Sequence, residues 1–299
     1  MNAASYCLGP LVAVLCTAPG CEAMTTSADS GRGGSDSGGT VDAPARDTGP
    51  RDAVTAPVAA ERLTVRVVRS VPHDRRAFTQ GLELFEGSLL EGTGLYGRSE
   101  MRRVDLETGA VLASVPLPAE VFGEGITRVG DRLYQLTWRE ERAFLRNVSD
   151  LSVIREIAYE GEGWGLCHDG ARLVMSDGSD TLFFRDPETF ALTGSIEVRL
   201  DGEPLDQLNE LECVGGIVYA NVWQTDHIAR IDAASGRVTG WIDTAIHAAS
   251  PVGARLLPPA EAAGADVLNG IAHLPDSGHL LLGGKEWPLF FEVELVPAP

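Results

Sequence analysis

Basic residues are scarce in this 299-residue chain: 24 lysines and arginines face 43 aspartates and glutamates, a formal net charge of −19. Nucleic acid and anionic membrane surfaces would repel it, so neither is an expected partner. Cysteine is sparse too, with five residues, of which Cys7, Cys16 and Cys21 lie close to the start. No CxxC pair and no Cys/His spacing suited to zinc occurs, which argues against a metal site of the usual cysteine type. Helical periodicity is almost missing beyond Glu61, so a helical fold is not expected. The apolar run near the start, Leu8 to Ala18, is too short to span a membrane as a helix.

That run suits the apolar region of a signal peptide, although no basic stretch precedes it. The "APGC" at Ala18 to Cys21 is similar to a bacterial lipobox with Pro19 in place of the usual small residue. Cys21 is therefore a candidate for lipid attachment, with simple cleavage and secretion as the alternative. From Thr25 to Ala60 the chain is made mostly of Ser, Gly, Asp, Ala, Thr and Pro, a composition that buries no core and reads as a flexible tether. The expected organisation is a leader over 1–21, a linker over 22–60 and a folded domain over 61–299, exported to the periplasm or cell envelope. In that oxidising setting Cys167 and Cys213 either pair or stay as two buried thiols.

The folded part repeats. Five segments share one shape: "FTQGLEL" at Phe78, "FGEGITR" at Phe122, "GWGLCHD" at Gly163, "NELECVG" at Asn209 and "NGIAHLP" at Asn269. Their equivalent positions Gln80, Glu124, Trp164, Asn209 and Asn269 fall 44, 40, 45 and 60 residues apart. A second strand follows each segment, a third ends in a turn signal such as "DLETG", and a fourth precedes the next unit. Four strands every 40 to 45 residues predict an all-β, five-bladed β-propeller with four antiparallel strands per blade. The longer last step reflects an insert over roughly Thr244 to Ala265. The chain opens on a fourth-type strand, Leu63 to Val71, and ends on a third-type one, Leu289 to Val296; their pairing would close the ring and hide both edges. First strands line a propeller's axis, so Glu124, flanked by Gly123 and Gly125, is expected at a channel mouth, the glycines making room there.

These motifs, with "LYQLTW", "GEGWGL", "SDGSDTL", "NVWQTD", "LNGIA" and "GKEWPLFFEV", resemble those of the plant-type glutaminyl-peptide cyclotransferases, in order from Leu63 to Val296. The resemblance implies an enzyme that closes the α-amine of an N-terminal glutamine onto its side-chain amide, leaving pyroglutamate and ammonia. It implies no metal and no other cofactor, and peptides or proteins with N-terminal glutamine as partners. Carried over by motif, Glu124 is the catalytic acid/base, with Gln80, Trp164, Asn209, Trp223 and Lys285 binding substrate. The chemistry needs such groups, because the leaving nitrogen must be protonated while the attacking amine sheds a proton. Burial against the two indoles would raise the Glu124 pKa and Lys285 would lower it. Gln80, Asn209 and Lys285 are expected to hold the amide oxygen, each donor being worth roughly 3 kcal/mol.

Blander readings stand beside these. The indoles also suit packing between blades, Asn209 a turn cap, and Glu210 and Glu212 plain surface charge. "SDGSDT" over Ser176–Thr181 reads as a hairpin turn rather than a calcium loop, and His168 and His273 as structural. A non-catalytic envelope scaffold is the rival function, and a propeller hydrolase a weaker one, since it needs several carboxylates around a metal. No apolar patch is visible, so a monomer is expected.

Overall fold

The computed structural model describes residues 58–299, and every regular element among them is a β-strand. The leader, Cys21 and most of the linker lie outside the described residues. After β1 (Glu61–Pro72) come three antiparallel sheets in sequence order. The first is β2 (Thr79–Phe85), β3 (Ser88–Thr93), β4 (Glu100–Asp105) and β5 (Val111–Pro116); the second is β6 (Gly123–Val129), β7 (Arg132–Thr137), β8 (Arg142–Asn147) and β9 (Val153–Ala158). The third is β10 (Leu166–His168), β11 (Leu173–Met175), β12 (Thr181–Arg185) and β13 (Leu192–Glu197). A small hairpin follows, β14 (Arg199–Leu200) with β15 (Glu203–Pro204). Then come β16 (Leu208–Val214), β17 (Ile217–Val222), β18 (His227–Asp232) and β19 (Val238–Asp243), and finally β20 (Leu268–Leu274), β21 (His279–Gly284) and β22 (Leu289–Pro297).

The last two groups are joined by β1, which runs antiparallel to β22 from Leu63↔Pro297 to Pro72↔Leu289 and parallel to β19 over Glu61–Thr64. The arrangement is propeller-like. Local chemistry repeats with the strands. At the end of the third strand of three sheets, Asp105, Asp186 and Asp232 each take two backbone amides and a hydroxyl from the residues just beyond. These Asx-type turns are what the "DLETG" signal encodes.

Burial falls from the first strand of each sheet to the fourth: β2 and β6 begin fully buried, whereas β5, β9 and β13 are largely exposed. Apolar side chains fill the spaces between sheets; Leu90 and Met101 of the first meet Ile126 and Leu133 of the second, for example. The first strands also meet one another, β2 against β6 and β20, β6 against β10, β10 against β16, and β16 against β20. Such closeness leaves no room for side chains at certain points. A Cβ on Gly125 would sit 2.5 Å from the Trp164 carbonyl oxygen, and one on Gly165 only 2.0 Å from that of Asn209. The glycine after Glu124 thus admits the backbone of the next strand.

Three features go beyond the sequence reading. Cys167 on β10 and Cys213 on β16 are joined as a disulfide, with Cα atoms 5.5 Å apart. The β14–β15 hairpin was not anticipated; its Asp201 accepts the Ala60 amide and pairs with Arg62. The segment 244–267 contains no strand, but Ala254, Leu256, Leu257 and Ala262 are buried against Trp287 and Leu268.

Candidate active site

The starts of the first strands and the ends of the second strands lie at one end of the sheets, as hairpin geometry requires. Pairing slips at the start of four first strands: between Thr79 and Gly81, Gly123 and Ile126, Leu208 and Leu211, and Leu268 and Ile271. The residues inside these irregularities are Gln80, Glu124, Asn209 and Asn269, with the neighbours Gly125, Glu210 and Gly270. A bulge re-aims a side chain that regular pleating would place elsewhere. In the third sheet Trp164 precedes β10, fixed by its amide on Ser176 O at 3.0 Å. Trp223 and Lys285 lie just beyond β17 and β21, and each is followed by a residue in the left-handed region, Gln224 (φ 63°) and Glu286 (φ 58°).

All six expected site residues line one cavity of about 200 Å³, together with Phe78, Phe122 and Trp138. Glu124 is 4% exposed, and Gln80, Asn209 and Lys285 are buried to the same degree. Gln80 Nε2 donates to Glu124 Oε1 at 2.9 Å, while Gln80 Oε1 accepts from Asn269 Nδ2 at 2.9 Å. The chain Asn269–Gln80–Glu124 fixes which way the Gln80 amide points. Trp164 and Trp223 meet edge to face, centroids 5.4 Å apart. Phe122 meets Phe78, Tyr96 and Trp138 edgewise, and the Lys285 ammonium lies 5.0 Å from the Phe78 ring centre.

Burial raises the Glu124 pKa well above the ordinary carboxylate value; the Lys285 charge opposes this, and the carboxylates of Glu140 and Glu162 reinforce it. Desolvation outweighs the lysine. Burial also lowers the Lys285 pKa, against the pull of Glu124 and Asp266. Backbone bonds Asp266 N to Lys285 O and Lys285 N to Val267 O, both 2.9 Å, tie the lysine to the end of the segment 244–267. Asn209 Oδ1 is buried with no hydrogen-bond partner among the described residues.

A family model described as glutamine cyclotransferase matches residues 43–295. The chain belongs to the glutamine cyclotransferase family. It is 42% identical over 237 residues to a glutaminyl-peptide cyclotransferase of Arabidopsis thaliana, covering 78% of this chain and 72% of that protein. Its fold is similar to the crystal structure of Myxococcus xanthus glutaminyl cyclase, with TM-score 0.72, 39% identity, and coverage of 80% of this chain and all of that one.

For this member of the cyclotransferase family, sequence reasoning missed three cavity residues. Phe78 and Phe122 stand two positions before Gln80 and Glu124 in the repeated motif, and Trp138 ends "LYQLTW". Their signal was the shared phase of those motifs. The reading of Glu210 as surface charge is corrected: it is 1% exposed and accepts the amides of Leu82 at 3.1 Å and Ile271 at 2.8 Å. Glu212, likewise not free, takes the His273 amide at 2.7 Å. His168 and His273 line a different cavity with Glu83, Glu212 and Cys213. In "SDGSDT", Asp177 accepts the amide and hydroxyl of Ser179, which makes the segment a turn.

Proposed function

We propose that the chain is a glutaminyl-peptide cyclotransferase, converting the N-terminal glutamine of peptides to pyroglutamate with release of ammonia. The observation that carries this is the meeting of Gln80, Glu124, Trp164, Asn209, Trp223 and Lys285 around one buried carboxyl. A glutamine side chain fits between the indoles and phenyl rings, which hold its methylenes and fold its amide toward its own amine. Held so, the chain starts near the shape in which the amine meets the carbonyl carbon.

In the reaction the α-amine nitrogen bonds to the side-chain carbonyl carbon and passes a proton to the Glu124 carboxylate. The protonated carboxyl then gives it to the departing amide nitrogen, the carbon–nitrogen bond breaks, and ammonia leaves with Glu124 again ionised. A carboxylate made more basic by burial suits the first half, and its readiness to release a proton suits the second. Lys285 steadies the charge that develops on the carbonyl oxygen. Asn209 Oδ1, without a partner among the described residues, accepts a substrate N–H. Gln80, already bonded to Asn269, orients Glu124. The mechanism is metal-independent: the cavity lining offers one carboxylate and neither imidazole nor thiolate, a donor set unlike those that hold catalytic zinc.

The same proposal extends to the architecture and the setting. Five four-stranded blades form a ring, β22 paired with β1 supplying its seam; the mutual contacts of the five first strands support this reading. The sequence features that support a cell-envelope setting, for a lipid-anchored or secreted monomer, are the apolar run over Leu8 to Ala18, Cys21 and the Ser/Gly/Asp-rich stretch beyond it. Incubating the purified chain with a glutaminyl dipeptide and following ammonia, with loss of NH₃ in the mass spectrum, tests the activity. Release above the spontaneous rate that survives a chelator is expected; no release from folded protein would overturn the reading.

A further inference from the structure

Two of the cavity's indoles come from different sheets, yet one carboxylate oxygen holds both. Trp138 follows β7 and Trp164 precedes β10. Glu162 Oε2 accepts Trp138 Nε1 at 2.8 Å and Trp164 Nε1 at 3.1 Å. Its Oε1 accepts Arg139 Nε at 2.9 Å, and the Arg139 guanidinium lies 3.7 Å from the centre of the Trp138 ring. Glu162 itself does not line the cavity. An indole has one N–H, so a single bond fixes how far each ring can turn about its outer torsion. Two such bonds to one atom fix the rings relative to each other.

We propose that Glu162 is a positioning residue of this site, locking Trp138 and Trp164 at one spacing across the junction between the second and third sheets. The inference rests on the cyclotransferase reading. Charge-assisted bonds from indole and guanidinium make the carboxylate a better anchor than water, which would leave each ring free. The negative charge has a second consequence. Glu124 is faced by Lys285 from the β21–β22 connection, by Glu140 and Glu162 from the loops after β7 and β9, and by Tyr96 and Tyr159. Of these, Glu140 and Glu162 favour its protonated form and Lys285 opposes it.

Two substitutions separate anchor from charge. Glu162→Ala removes the shared oxygen, whereas Glu162→Gln keeps an oxygen that can accept both indoles but carries no charge. Steady-state turnover of a glutaminyl dipeptide by the full chain is measured from pH 5 to 9. Glu162→Ala is expected to raise KM at least about tenfold, with a smaller loss in kcat. Glu162→Gln is expected to keep KM near wild type and to move the acid limb of kcat/KM that follows Glu124 to lower pH. An unchanged KM in Glu162→Ala would overturn the proposal, as would an unmoved acid limb in Glu162→Gln. If the wild-type chain releases no ammonia, the cyclotransferase reading itself fails. The lock is then read from the tryptophan bands of near-ultraviolet circular dichroism, which Glu162→Ala alters if Glu162 holds the rings and leaves alone if it does not.

Discussion

Replacing Glu124 with glutamine removes one ionisable proton and almost nothing else. The substituted side chain has the same length, and its oxygen still accepts from Gln80 Nε2, now at 2.9 Å from Glu124 Oε1. Loss of a general acid/base costs about 10² to 10⁴ in turnover, which at the lower end is about 2.7 kcal/mol of barrier. Stability should move the opposite way. The folded-state pKa of Glu124 lies well above its ordinary value of 4.5, so the native state binds the proton more tightly than the unfolded chain does. Its contribution to stability is present below that ordinary value and is lost as pH rises through the raised one. Glutamine carries no such pH-dependent penalty. The melting temperature of Glu124→Gln should therefore equal or exceed that of wild type at pH 8, with the difference shrinking toward pH 5. Ammonia release and differential scanning calorimetry on one preparation test both halves. Near-wild-type turnover would refute the assigned role, and a melting difference that does not change with pH would refute the electrostatic argument.

Reducing the Cys167–Cys213 bond, whose ends are 46 residues apart, should cost about 4 kcal/mol by chain entropy, or roughly 8 °C in melting temperature for a domain of this size; a shift below about 2 °C would contradict it. Glu83 and Glu212, whose pKa values burial pushes up to about 7 and about 8, are expected to lower stability as pH rises from about 5 to 8. In denaturant titrations, Glu212→Gln should flatten that slope, and an unaltered slope would remove Glu212 from the account. Gly165→Ala places a methyl group 2.0 Å from the Asn209 carbonyl oxygen; a loss of about 1–3 kcal/mol and a raised KM are expected, and a wild-type midpoint would show that the strands can part at no cost.

The site was legible where identity alone decides and illegible where pairing decides. Gln80, Glu124 and Asn209 recur at one phase of a repeat, so the sequence brings them to one mouth. The slips in register that aim them there arise between strands, and no single segment records them. Trp164 and Trp223 were open to a packing interpretation, because an indole lining a cavity and one filling a core have the same composition and phase. Glu210 was misjudged for a related reason. It stands where the other repeats carry Gly81, Gly125, Gly165 and Gly270, so the repeat itself gives no face for its side chain. Its partners, the amides of Leu82 and Ile271, come from other strands, 128 and 61 residues away. The disulfide stayed open because 46 residues of chain can end 5.5 Å apart or far from it; only the contact between β10 and β16 decides.

The polar groups around the cavity are lent by segments far apart in the chain: Gln80 by β2, Glu124 by β6, Asn209 by β16, and Lys285 by the connection between β21 and β22. No fragment lacking one of those segments can retain the full set. Turnover therefore serves as a conformational gauge for the whole domain, fading in step with cooperative unfolding and returning only when distant segments reassemble. Two inactive halves split between sheets should recover activity on mixing, at a rate that reports how quickly they find each other.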